Sequence, residues 1–249
     1  MVYLSQSLSY FSTISPDQLL NSFVHGAEVY ISNGTQTQKL KEYKVALGYG
    51  FSFYYYTIDS ANLQTAFKGE LNHHYSIRIV TGGNEYTATT TIPGINKYID
   101  SIWWEPAPKG VEDDKAIVMI TVTDPPGYGD YVRYYTKRNS EPFYPGLNSV
   151  FDDLIIDGTT YQLQVEPGVD RNAEHNDDDH YYNHGDTVTV KLSSIDKATY
   201  DFWRTMEYTY ASVGNPFSSP IKVLGNISNG ALGYFGGYAS VYRTIIIPK

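Results

Sequence analysis

A single stretch of this chain keeps a helical period. In Ser193 to Ser212, SSIDKATYDFWRTMEYTYAS, the residues Ile195, Ala198, Phe202, Met206 and Tyr210 recur every three or four positions, with Thr199 and Trp203 beside them. One stripe of such a helix can be buried. Ser193 is the expected N-cap, Asp196 falls in the first turn near the positive end of the helix dipole, and Gly214 with Pro216 supplies a stop. A lone amphipathic helix needs a sheet to cover, so the expectation for everything else is strands.

Composition agrees. The 249 residues include 25 Tyr, and a hydrophobic fraction of 41% against 18% charged residues excludes wholesale disorder. Usual domain sizes favour two domains at this length. A formal charge of −9, with 18 Lys and Arg among 27 acids, leaves no basic stripe for a phosphate backbone, so nucleic-acid binding is not expected. The chain has no cysteine, hence no disulfide, thiolate nucleophile or thiolate metal site of its own. No apolar run reaches the roughly 20 residues that span a bilayer. The N-terminal MVYLSQSLSYF alternates like a strand and lacks a basic-then-apolar signal. The expectation is that any export signal has been removed and that Met1 is an expression start.

Read in order, Tyr3 to Phe11 is a first strand, and a short helical turn is expected around Leu19 and Leu20. Ala27 to Ser32 ends at Asn33-Gly34, a strong hairpin signal, with Thr37 to Val45 returning antiparallel. Gly50 to Thr57, His74 to Thr81 and Glu85 to Ile92 follow as strands, Gly82-Gly83 turning the chain between the last two. Residues 1–95 thus predict an Ig-like β-sandwich, and residues 96–249 a second β-rich domain carrying one amphipathic helix at about 193–212. Within the second block, Lys115 to Thr123, KAIVMITVT, reads as a buried central strand with Asp130 to Arg138 as its partner. Glu141 to Asp153 reads as loop, Leu154 to Val165 as a hairpin turning at Asp157-Gly158, and Asp186 to Leu192 as a strand feeding the helix. Ile221 to Leu224 and Ser240 to Ile247 complete the strands.

The order FDDLIIDGTTYQLQV (Phe151 to Val165), GDTVTVKLSSIDKATYDFWRTMEY (Gly185 to Tyr208) and NPFSSPIKVLGNISNGALGYFG (Asn215 to Gly236) resembles a Bacteroidetes family of exported lipoproteins defined only as a domain of unknown function. The likeness extends to DPPGYGDYVRYY in the second block, and to HGAEVYISNG and HHYSIRIVTGGNEYTA in the first. It covers essentially the whole chain apart from an N-terminal signal and its lipid-bearing cysteine. The resemblance implies a periplasmic or cell-surface protein tethered to the outer membrane, often encoded beside a TonB-dependent receptor, and it implies no catalytic residue. Separately, Gly26 to Ile31 and Tyr75 to Gly83 look like the GAxVxI and YxIxI segments of Ig-like or carboxypeptidase-regulatory-like sandwiches, which usually serve as scaffolds or adaptors.

The densest polar cluster, Asp170 to Asp186, holds six carboxylates and three of the six histidines. Its spacing fits neither an EF-hand nor a zincin motif, so it reads as a solvated acidic loop. A calcium-type set of Asp170, Asp177, Asp178, Asp179 and Asp186 stays open as the alternative, as does a transition metal on His175, His180 and His184. Apart from that calcium, no cofactor is expected. Asp152-Asp153 would need a distant partner acid for glycoside hydrolysis, since neighbours on an extended chain diverge. Adjacent aromatics force one ring of each pair outward. Tyr55, Trp103, Trp104, Tyr181, Tyr182 and Tyr238 are therefore candidates for a ligand or partner platform. The expected role is non-catalytic: an accessory or binding partner of an outer-membrane uptake system. A module that binds glycan or peptide directly is the alternative, and a hydrolase with an unrecognised site stands third.

Overall fold

The computed structural model describes residues 1–7, 15, 18, 20–48, 51–171, 173, 180–213, 215, 217, 219 and 221–249. It is mainly β, with three antiparallel sheets and, among the described residues, one α-helix. By contacts the chain divides into two units. The first comprises Met1–Gly69, His74–Thr89 and Ile227–Ala231, and the second holds the rest. The expected helical turn around Leu19 lies outside the described residues.

In the first unit, β1 (Glu28–Ser32), β2 (Thr37–Gly48), β3 (Phe51–Ile58), β4 (His73–Thr81) and β5 (Asn84–Ile92) form one sheet in the order β3-β2-β1-β4-β5. The Asn33-Gly34 signal does make the β1–β2 hairpin, through a four-residue turn. Asn33 Oδ1 accepts from the N–H groups of Thr35 and Gln36, and Gly34 takes φ 90°. Gly82 and Gly83, both at positive φ, make the two-residue β4–β5 turn that twisted antiparallel strands require. Alternation then sorts the two faces. Val29, Leu40, Tyr56, Tyr75, Ile77 and Ile79 are buried on one. Tyr30, Lys39, Lys41, Tyr43, Tyr55 and Arg78 share the other, as the register pairs Tyr30 with Lys39 and Arg78, and Tyr43 with Tyr55.

The second unit contains two four-stranded sheets that share one core. In the first of them β7 (Lys115–Thr123) is central: β6 (Tyr98–Pro106) pairs along one edge, and β10 (Thr160–Val165) with the two-residue β11 (Tyr182–Asn183) along the other. The expected central strand is therefore present, but its partners are these strands and not the expected Asp130 to Arg138 segment, which pairs in the other sheet, and only Ala116, Val118, Ile120 and Val122 are buried. A run that is apolar on both faces is not buried on both. The other sheet runs β13 (Tyr238–Ile246), β12 (Thr187–Ile195), β8 (Tyr131–Arg138), β9 (Tyr144–Phe151). Val132, Val188, Val190 and Leu192 meet the β7 residues across the interior. Strand β9 corrects the loop expected over 141–153, because Pro145 is tolerated on an edge that needs no ladder donor from it. Residues 154–159 are turn and not strand, and Ile221 to Leu224 forms no strand.

Helix α1 (Lys197–Ser212) packs on β8 and β9. It begins later than expected. Ser193 belongs to β12, where its hydroxyl meets Ser240, and Asp196 is the N-cap, its side chain accepting from Thr199 N–H at 2.9 Å. The buried stripe is also rotated. Phe202 and Thr199 are inside as the periodicity requires, but Met206 and Tyr210 are 37% and 48% exposed, and Tyr200 and Glu207, which the stripe did not include, are buried. The buried Arg133 of β8 offers a guanidinium that a carboxylate can compensate and a thioether cannot. No described helix is long and apolar enough to cross a membrane.

Candidate functional site

The polar face of the first sheet carries a row of aromatic rings interleaved with cations. Tyr43 and Tyr55, a cross-strand pair, stack with centroids 5.9 Å apart and ring planes 20° from parallel. Tyr3 extends the row to Phe53 at 5.0 Å and to Tyr55 at 6.4 Å. Lys41 Nζ stands 5.7 Å over the Tyr43 ring, and Tyr30 lies beneath both Lys39 at 5.4 Å and Arg78 at 4.4 Å. Each of these cations also meets an acid: Lys39 with Glu28 at 2.6 Å, Lys41 with Asp59 at 3.2 Å, Arg78 with Glu85 at 3.2 Å. The Lys39 ammonium holds Glu28 below its ordinary carboxylate value. Exposed pairs of this kind add little stability. They do fix long side chains over rings and so shape a rigid amphipathic surface.

Beside this row is an open, shallow cleft lined by Glu28, Lys39, Lys41, Glu42, Tyr56 and Asp59, among others. Its floor is a fixed network. The Glu42 carboxylate accepts from Gly26 N–H at 2.8 Å and from Tyr56 O–H at 3.1 Å, and meets His25 Nδ1 at 2.5 Å. The single Tyr56 hydroxyl proton is shared between Glu42 and Val24 C=O, and the same oxygen accepts from Ala27 N–H. Burial would raise Glu42, yet these donors outweigh it and hold the carboxyl below its ordinary range.

Of the residues singled out from sequence, Tyr55 is half-buried in the stacked row. Trp103 and Trp104 diverge as alternation demands. Trp103 donates Nε1–H to Glu105 at 2.8 Å, whereas Trp104 packs against the second unit's core with its ring edge-on to His184. Tyr181 is half-buried, but Tyr182 is 1% exposed and belongs to the core, so it offers no face to a ligand. The Tyr238 hydroxyl is tied to Trp203 Nε1–H and Tyr234 O–H. Asp170 accepts from Tyr144 O–H. Asp186 is buried and accepts from Asn139 Nδ2 and Asn183 N–H, which ties it into a turn. Asp177, Asp178 and Asp179 lie outside the described residues, as does His175. The platform and metal sets therefore remain dispersed wherever they are described.

Two further charge clusters lie in the second unit. Glu207, 4% exposed, accepts from Ser149 N–H at 2.8 Å and Ser149 O–H at 2.5 Å, with Arg133 Nη2 at 3.6 Å and Arg171 Nη2 at 3.5 Å. The Arg133 guanidinium lies 3.5 Å over the Trp203 ring. Elsewhere, carboxylate oxygens of Asp124, Asp153 and Asp157 fall within 4.8 Å of one another. Backbone N–H groups of Gly127, Gly129, Asp130 and Gly158 donate into them, and Lys97 stands at Asp124. These carboxylates gather the DPPGYGD and FDDLIIDG loops around a built-in ammonium.

Sequence reading missed Tyr30, Tyr43 and Arg78 as companions of Tyr55. The signal was available, because the Asn33-Gly34 hairpin and strand alternation together place all four on one face. For the Asp124 cluster no local signal existed, since Asp124 lies 27 positions from Lys97 and 29 and 33 positions from Asp153 and Asp157.

The family model described as a domain of unknown function (DUF4249) matches residues 1–244. Neither a search of curated proteins nor one of solved structures returned a match. The family match spans nearly the whole sequence, and the chain belongs to the DUF4249 family.

Proposed function

We propose that this protein is a non-catalytic, exported and lipid-anchored binding protein that serves as accessory partner of a TonB-dependent uptake system in the outer membrane. Its first unit acts as an Ig-like adaptor. The observation that carries this reading is the row of Tyr30, Tyr43 and Tyr55 with Lys39, Lys41 and Arg78 on one sheet face. Rigid aromatics with a polar handle, flanked by guanidinium, are what protein interfaces enrich. The acids dense enough for chemistry, around Asp124 and at Glu207, are engaged by backbone donors and cations, which favours a structural role for them.

A second reading rests on the stacked Tyr43 and Tyr55 beside the cleft, a geometry that suits the apolar face of a sugar ring or an extended peptide. One experiment separates the two: crosslinking and pull-down of the full-length lipidated protein from its native membrane, alongside a Tyr43→Ala/Tyr55→Ala variant. Capture of a TonB-dependent receptor by the parent and its loss in the variant supports the adaptor reading. Failure of the parent to capture a receptor, with direct affinity of the purified protein for glycan or peptide, supports the second reading and removes the first.

A further inference from the structure

We propose that Lys97 and Asp124 are joined by an intramolecular isopeptide bond, a modification site in the second unit. Lys97 Nζ lies 2.5 Å from Asp124 Oδ1, and the two side chains are 1% and 0% exposed. Despite that distance, neither atom sits in hydrogen-bond geometry with the other or with anything else among the described residues. The carboxyl carbon is one bond beyond the oxygen, so Nζ is within about 3.7 Å of Cγ, close to the separation of reacting atoms in a near-attack arrangement.

The surroundings favour the covalent product. An ion pair removed from water loses the solvation of both charges, and a single contact supported by one backbone hydrogen bond, from Gly158 N–H, returns little of it. Amide formation replaces two buried charges with one neutral group. The Asp124 carboxyl is fixed in place: Gly158 N–H donates to Oδ2 at 3.2 Å, and Asp124 N–H donates to Thr159 C=O at 2.9 Å. Lys97 immediately precedes β6 and Asp124 immediately follows β7, where Tyr98 pairs with Thr123. The bond would therefore close the open end of the β6–β7 hairpin, in a chain that has no cysteine to staple it.

The step balances without an added reagent. The ammonium passes a proton to the Asp124 carboxylate, and the neutral amine attacks Cγ with its lone pair. The tetrahedral adduct then loses its hydroxyl with a second nitrogen proton, releasing one water and leaving a secondary amide.

The test is intact-mass measurement of the purified full chain, followed by peptide mapping. The expected result is a protein one water lighter than its sequence, with a branched peptide joining Lys97 to Asp124, and full mass in Lys97→Arg, which keeps the charge but cannot form the amide. A wild-type protein of full mass overturns the proposal. So does a water loss that maps to Asp157-Gly158, where a succinimide would give the same mass.

Discussion

Glu207 is the residue whose removal should cost this protein most. Replacing it with alanine strands the Arg133 guanidinium, itself 2% exposed, and leaves the fully buried Ser149 N–H without its acceptor. Breaking a buried charge pair from one side costs about 3 to 5 kcal/mol. An orphaned buried donor adds about 1 to 3 kcal/mol. The two share a site and overlap, so about 4 to 6 kcal/mol is expected, a large part of the stability of an ordinary domain. Tryptophan fluorescence during urea unfolding is the assay, because Trp103, Trp104 and Trp203 all lie in the second unit and report on it alone. Glu207→Leu combined with Arg133→Met should recover part of the loss, since apolar replacement of both leaves only the partly exposed Arg171 without its carboxylate. Recovery stays incomplete because Arg133 also packs on Trp203. A Glu207→Ala loss below about 1 kcal/mol, or strictly additive losses in the double variant, would refute the reasoning.

Helix orientation gives a second outcome: Phe202→Ala should cost about 3 to 5 kcal/mol in the same assay, whereas Met206→Ala should stay within about 0.5 kcal/mol. Equal losses would restore the stripe read from periodicity. Glu42 gives a pH dependence. Its carboxyl is held below the ordinary value of 4.5, so its stabilisation is present above that value and is lost as pH falls through the folded value. The melting temperature of wild type should therefore drop more steeply below pH 4.5 than that of Glu42→Gln, and parallel curves would show that the His25, Gly26 and Tyr56 donors contribute nothing.

Local signals carried the strands well. Val29, Ile77 and Ile79 declare their face by alternation, and paired glycines at 82 and 83 declare their turn. What local pattern cannot convey is which neighbour a face meets. Glu207 reads as the polar side of a helix until β8 brings Arg133 beneath it, and the apolar Met206 is then turned outward. Pro145 and Gly146 read as loop until β9 is known to lie at a sheet edge. Among the aromatics, alternation correctly parted Trp103 from Trp104 and Tyr55 from Tyr56, yet it could not say which ring of Tyr181-Tyr182 would enter the core. The Lys97–Asp124 contact depends on β6 and β7 pairing at their open end, a register visible only in three dimensions.

The most direct measurement of the binding role is site-specific photocrosslinking in native membranes, with a photoreactive aromatic residue in place of Tyr43 in the full-length protein. Position 155, exposed on the second unit, serves as the control. The account predicts a covalent adduct with a TonB-dependent receptor from position 43 and none from position 155. Labelling of the receptor from position 155 alone, or no receptor adduct from either position, would contradict it.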